Sequence, residues 1–130
     1  MNFESVFIDP RGRIARGAFV SALIIMLLVA ALYFFLVGGI SGDWCLVVLI
    51  YPFIVVNARR LHDMGQTAWL LLVPAALLIA TAWLHIYQAK STLMTPVAVA
   101  ALAVSAGFAL WGVAGKSNAG ANRFGEPAAA

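Results

Sequence analysis

The sequence predicts an all-α integral membrane protein, a four-helix bundle with both termini in the cytoplasm. Of the 130 residues, 64% are hydrophobic and only 10% are charged, whereas a soluble domain is about 45–50% apolar and about 25% charged. The few charged residues leave four uncharged runs, which are candidate membrane spans. Most of the lysines and arginines would then lie on one side of the membrane. This composition excludes soluble enzymes and disordered tails. It also excludes secreted modules held by disulfides, because the single Cys45 cannot close a bridge within the chain.

The uncharged runs predict the membrane spans. They are residues 17–42, 44–58, 64–89 and 91–115. A spanning helix needs about 20 apolar residues to cross a hydrocarbon core of about 30 Å, so the first, third and fourth runs are long enough. The second run is shorter and contains Pro52. It is either a full span that extends back through Ile40 or a re-entrant hairpin.

The distribution of lysine and arginine favours a full second span. With four spans, seven of the eight basic residues share one side and only Lys90 faces the other. A re-entrant second run would divide them four against four. Because basic residues of short loops collect on the cytoplasmic side, four spans with cytoplasmic termini are favoured. The predicted spans are residues 17–37, 42–58, 68–88 and 94–115, in one domain with an interfacial N-terminal segment, 1–16, and a cytoplasmic tail, 116–130.

The N-terminal segment is expected to be a short amphipathic lead-in. Its apolar residues Phe3, Phe7 and Ile8 are predicted to lie along the inner membrane interface.

The fourth span carries a stripe of small residues at helical spacing. Its members are Ala98, Ala101, Ser105 and Ala109, and Ala103 and Gly107 form a neighbouring pair. Lipid tails remove most of the hydrophobic drive between helices, so close packing depends on small residues that let backbones approach. We interpret the stripe as helix packing against the first three spans, with a face for a second subunit as the alternative.

Three polar segments are predicted to converge on the cytoplasmic side. They are residues 10–16, 59–65 and 120–127. In the second segment, Arg59 and Asp63 are four residues apart and are expected to pair. Gly65 is a natural helix stop, and Thr67 is a candidate N-cap of the next helix.

The polar segments supply the candidate binding residues. Basic residues beside spans fix topology and contact anionic headgroups, each contributing about 1 kcal/mol near the surface. A specific site is the alternative, because the planar fork of arginine binds phosphate oxygens in a bidentate manner. In that hypothesis the five arginines at positions 13, 16, 59, 60 and 123 form one anionic-lipid pocket. The predicted lipid- or partner-binding residues are Arg13, Arg16, Arg59, Arg60, His62, Asp63 and Arg123.

No catalytic site, metal or cofactor is predicted. A hydrolase needs a nucleophile, a base and an orienting group within reach of one another. His62 and Asp63 are adjacent, so on a helix they diverge by about 100°, and Cys45 is expected toward the opposite membrane face. The two histidines, His62 and His85, fall on opposite sides, which argues against zinc. The net charge of +3 is explained by the membrane anchors, so nucleic-acid binding is not expected.

The polar segments also resemble the three signature blocks of the bacterial domain of unknown function 805 family. The blocks read Gly12-Arg13-Ile14-Ala15-Arg16-x-x-Phe19, then Arg59-Arg60-Leu61-His62-Asp63-x-Gly65 followed by Trp69, then Gly120-x-Asn122-Arg123-Phe124-Gly125-x-Pro127. The resemblance covers almost the whole chain in the right order. It implies a helical protein of the bacterial inner membrane and brings no established biochemical activity.

These observations favour an interaction protein over an enzyme. We expect an accessory, assembly or stabilising subunit of a larger membrane complex. Its partners would be anionic lipids at the cytoplasmic face and other membrane subunits or copies of itself. The alternative is a small homo-oligomeric transporter or channel. That alternative needs a polar path, and the predicted spans contain few polar residues and no buried acid.

Overall fold

In the computed structural model, the described part of the chain is residues 2–37 and 42–128, with side chains described for these residues apart from 42–46. This part is built from helices and turns, which confirms the predicted all-α class. Residues 38–41, which join the first two predicted spans, and the predicted position of the Cys45 side chain lie outside the described residues.

The helices follow the predicted spans closely. They are α1 (Phe3–Phe7), α2 (Arg16–Val37), α3 (Gly42–Asp63), a 3₁₀ turn (Ala68–Leu71) that leads into α4 (Leu72–Tyr87), and α5 (Met94–Ala114). Among the described residues, three helical stretches are long and apolar enough to cross a membrane: Arg16–Val37, Ala68–Tyr87 and Met94–Ala114. The chain is therefore a helical membrane protein. Helix α3 is equally long at 22 residues, but its last two turns are polar.

Helix α3 ends in a glycine stop. Gly65 has a φ of 76°, its N–H donates to the carbonyl of His62 at 3.1 Å, and the N–H of Gln66 donates to Leu61 at 2.8 Å. This pair of bonds is the Schellman motif, which favours glycine because the backbone is left-handed there. Thr67 then accepts a hydrogen bond from the N–H of Trp69 at 3.4 Å, so the predicted stop and N-cap are both confirmed.

The N-terminal segment is more deeply packed than predicted. Val6 and Phe7 are buried and join a core cluster with α2 and α3 that includes Phe19. Phe3 and Ile8 stay exposed. The prediction of an interfacial lead-in is thus corrected for Phe7, because α1 packs against α3 and turns this side chain into the core.

The small-residue stripe of α5 faces the other helices. Ala101 is buried, and Ala98, Ser105 and Ala109 are half-buried, whereas Ala103 and Gly107 are exposed. At the end of the same face, Gly112 allows α5 to approach α2, because a Cβ at this position would lie 2.6 Å from the ring of Phe19.

Candidate functional site

The three polar segments meet at one end of the bundle, which we call the polar end. Arg13 of the first segment donates from Nε to Oδ1 of Asp63 in the second at 2.9 Å. It also donates to the carbonyl of Gly120 in the third at 2.8 Å. The three segments therefore converge as predicted, with the N-terminal segment, the end of α3 and the chain after α5 held together here, and the cytoplasmic side of this end stays a prediction.

The centre of the polar end is an arginine–aspartate cluster formed by Arg13, Arg60 and Asp63. Their side chains are only 0%, 1% and 3% exposed. Asp63 receives Arg13 on one carboxylate oxygen at 2.9 Å and Arg60 Nη1 on the other at 2.5 Å. Ser117 accepts from Arg60 at 2.9 Å and donates to Asp63. Buried charges are tolerated only when they are paired and hydrogen-bonded, and this cluster meets both conditions.

Every N–H group of the Arg13 side chain has an acceptor within the chain. Its Nε bonds the Asp63 carboxylate, and its Nη1 donates to the carbonyls of Gly120 and Gly125 at 2.8 and 3.3 Å. Its Nη2 donates to the carbonyls of Asn118 and Asp63 at 2.7 and 3.4 Å. A guanidinium has five N–H groups, and each one has an acceptor within the chain. Arg13 therefore keeps no donor for a phosphate group.

Arg60 and Arg16 cap the end of α5. Arg60 donates from Nε to the carbonyl of Gly112 and from Nη2 to that of Gly115, both at 2.7 Å. Arg16 reaches Gly115 from the exposed side at 2.9 Å. The last carbonyls of a helix lack partners within the helix and carry partial negative charge. The two arginines satisfy these carbonyls and fasten α5 to α2 and α3.

Arg59 does not make the predicted pair with Asp63. Its Nη2 instead donates to the backbone carbonyl of Arg13 at 3.0 Å, and its Nε is buried without a partner among the described residues. Helical spacing permits either Arg59 or Arg60 to reach Asp63. Arg60 makes the pair because it lies on the face toward α5, where carbonyls accept its other N–H groups.

His62 holds the chain that follows α5. Its ring stacks on Phe124 with 4.0 Å between centroids and 11° between planes. Its Nδ1 donates to the carbonyl of Gly12 at 3.1 Å, which fixes the tautomer. Burial lowers the pKa of His62, the bond to Gly12 raises it, and the charges of Arg123 and Arg59 lower it. The net lowering favours a neutral imidazole, which suits a ring stacked on an aromatic side chain.

The geometry divides the seven predicted binding residues. Arg13, Arg60 and Asp63 lie inside the buried cluster, Arg59 and His62 are half-buried, and Arg16 and Arg123 are exposed. The hypothesis of one lipid pocket formed by all five arginines is corrected, because Arg13 and Arg60 point inward to acceptors of the chain itself. Sequence reasoning missed Ser117 and Asn118. Their signal is a polar pair directly after the last apolar span.

The described residues contain no group of three histidine, cysteine, aspartate or glutamate side chains placed to hold a metal ion. The arginine–aspartate cluster is suited to holding the three polar segments together, since every N–H group of the Arg13 guanidinium has an acceptor at the end of α3 or in the chain after α5.

Comparison with models of protein families gives a match. The family described as "Protein of unknown function (DUF805)" matches residues 7–126, a range that includes the whole arginine–aspartate cluster. No curated protein and no solved structure matches the chain. Because the family match covers most of the sequence, the resemblance of the three polar segments is confirmed, and the chain belongs to the DUF805 family.

Proposed function

We propose that this chain is a non-catalytic, multi-pass membrane protein. It serves as an accessory, assembly or stabilising subunit of a larger membrane complex, and its exposed cations contact anionic lipid. The observation that carries the proposal is that the side chains of the arginine–aspartate cluster bond to one another and to the backbone of the same chain. Catalysis or phosphate binding needs groups that are free to meet a substrate. In this chain, Arg13 and Asp63 are instead hydrogen-bonded to other parts of the fold.

The proposal includes four crossings with both termini in the cytoplasm of a bacterial cell. The contacts of Arg13 with Asn118 and Gly120 hold the segments before α2 and after α5 close together, which supports an even number of crossings between them. Helix α3 has 22 residues and is about 33 Å long, so we infer that its predicted span, residues 42–58, makes the fourth crossing and that its polar last turns lie at the membrane surface. The concentration of basic residues at the polar end favours a cytoplasmic position for it.

Labelling of single cysteines tests this topology. In a Cys45→Ala background, a membrane-impermeant maleimide should label Lys90→Cys in intact spheroplasts and Lys116→Cys only after permeabilisation. Labelling of both positions from the same side would contradict four crossings.

The exposed small residues on the outer face of α5 support the proposal of a partner helix. Ala103 and Gly107 are exposed and four residues apart, and a Cβ at Gly107 would meet nothing within 4 Å. Small residues at this spacing let a second helix approach closely in a membrane. The homo-oligomeric channel has less support, because Ser105 is the only polar residue among those that line the apolar crevice between the described helices.

Native mass spectrometry of the chromosomally tagged protein, extracted in mild detergent, tests the accessory role. We expect foreign subunits at a fixed ratio. Gly107→Leu should weaken this complex, whereas Ala76→Leu, at an exposed position of α4, should leave it intact. A homo-oligomer with bound lipid and no foreign chain would refute the accessory role.

A further inference from the structure

An apolar crevice of about 350 Å³ lies in the middle of the bundle. Leu23 and Leu27 of α2 and Leu102 and Ala106 of α5 form its sides. Leu27 and Leu102 are 70% and 75% exposed, so these lining residues also face outward. The crevice therefore opens sideways toward lipid, along the seam between α2 and α5.

The chemistry of the crevice favours a hydrocarbon chain as its occupant. Among the described residues that line it, Ser105 alone is polar, so the walls offer a ligand almost no hydrogen-bonding partners. A polar group placed there without a partner would be costly to bury, whereas an acyl chain has no polar atoms and can enter from the bilayer.

Two cations stand at the end of the same seam. Arg16 reaches from α2 to the carbonyl of Gly115 at 2.9 Å, and Lys116, the next residue in the sequence after Gly115, is exposed. Among the described residues, only Nη2 of Arg16 takes part in hydrogen bonds to the chain. The Nε and Nη1 groups remain available for the oxygen atoms of a phosphate.

The distance from the cations to the crevice matches the dimensions of a lipid. Arg16 precedes Leu23 by seven residues, which is two helical turns on one face and about 10 Å along the axis. The lining from Leu23 to Ala30 covers about a further 10 Å. One leaflet supplies half of a hydrocarbon core of about 30 Å, so an acyl chain whose headgroup lies at Arg16 reaches the half of the crevice nearer the polar end.

We propose that one anionic phospholipid of the leaflet next to the polar end binds this seam. Its phosphate contacts Arg16 and Lys116, and one acyl chain occupies the half of the crevice nearer the polar end. This deepens the lipid contact of the proposed function, on which it rests, and moves the lipid site away from the buried arginines. It does not depend on a partner subunit.

Lipid retention by the purified protein tests the proposal. The protein is placed in nanodiscs of equal parts phosphatidylglycerol and phosphatidylcholine, released into detergent, and weighed with its bound lipids by native mass spectrometry. We expect one retained lipid, with phosphatidylglycerol preferred. Ala106→Phe fills the crevice and should lower retention at least about threefold through lost packing contacts. Ala103→Phe, on the outer face of the same helix, should not.

The charge is tested in the same way. Arg16→Gln should reduce the preference for phosphatidylglycerol about fivefold, the equivalent of one cation near the membrane surface. Lys90→Gln is the matched control. Equal retention of the two lipids by the unaltered protein, or equal loss in the Ala106 and Ala103 variants, would overturn the proposal.

Photocrosslinking of the unaltered protein removes any dependence on variants that fold poorly. Phosphatidylglycerol with a diazirine in its acyl chain should label residues 23–30 and 102–109 more strongly than the outward surface of α4. Uniform labelling would overturn the lipid site. Because no partner is present, such a failure would leave the accessory role standing, and a missing partner complex would leave the lipid site standing.

Discussion

The polar end and the middle of the bundle are packed in opposite ways. At the polar end, Arg13, Arg60 and Asp63 are buried and joined by short hydrogen bonds. In the middle, apolar helices leave a crevice of about 350 Å³, and the Ser105 hydroxyl is buried without a partner among the described residues. Hydrophobic drive between helices is weak in lipid. Directional bonds at one end can therefore fix the arrangement while the apolar part stays loosely packed.

Removal of the central carboxylate should produce the largest effect. Asp63→Ala leaves Arg13 and Arg60 buried without a counter-charge, and breaking a buried pair costs about 3–5 kcal/mol. Unfolding in mixed detergent micelles measures the loss. The control is Asp9→Asn, since Asp9 and Arg11 form an exposed pair at 3.0 Å, and exposed pairs contribute little to stability. Equal stability of the two variants would contradict a structural cluster.

The junction between the two regions should be the next most sensitive point. Gly112→Ala brings a methyl group to 2.6 Å from Phe19, and overpacking of this kind costs about 1–3 kcal/mol. Gly107→Ala adds the same methyl group to the same helix, but nothing lies within 4 Å of it. We expect Gly107→Ala to leave the free energy of unfolding unchanged or raised. A neutral Gly112→Ala would show that α2 and α5 are not in close contact.

Within the crevice, we expect a gain in stability. Ser105→Ala removes a buried hydroxyl that has no partner, and an unsatisfied polar group is costly to bury. The free energy of unfolding should rise by up to about 1 kcal/mol. A loss of 1 kcal/mol or more would mean that the hydroxyl makes a favourable contact.

The smallest effect should be a dependence on pH at the edge of the polar end. Because the pKa of His62 is lowered in the fold, the unfolded chain takes up its proton first as the pH falls through about 6.5. The contribution of His62 is full above that pH and is lost on acidification. Unfolding temperatures measured at about pH 8 and about pH 5.5 should differ less in His62→Gln than in the unaltered protein.

The sequence predicted the helical class, the three apolar helices long enough to cross a membrane and the meeting of the polar segments, because the length of an apolar run and the positions of the charges beside it are visible in the residues themselves. It also predicted the stop at Gly65 and the cap at Thr67, which depend on neighbours a few residues away. It could not predict that Asp63 pairs with Arg13 and Arg60. That choice depends on which face of α3 meets α5 and on carbonyls of Gly112 and Gly115, which carry no side-chain signal.

The burial of Arg13 and Arg60 could not be predicted from the sequence either. In the sequence, an arginine that contacts a lipid headgroup cannot be distinguished from one that caps a helix inside the protein, because both lie beside an apolar span. Arg16 and Arg60 illustrate this, since both donate to Gly115, yet Arg60 is buried and Arg16 is exposed.

Hydrogen–deuterium exchange of the chain after α5 tests the central claim most directly. The N–H of Asn118 donates to the carbonyl of Asp63 at 2.8 Å, and Arg13 holds the carbonyls of Asn118 and Gly120. In lipid nanodiscs, a peptide over residues 116–126 should exchange slowly in the unaltered protein and at least about tenfold faster in Arg13→Gln, since an opening free energy lower by 1.4 kcal/mol gives that factor. Exchange of this peptide at the rate of an unstructured chain in the unaltered protein would contradict the account.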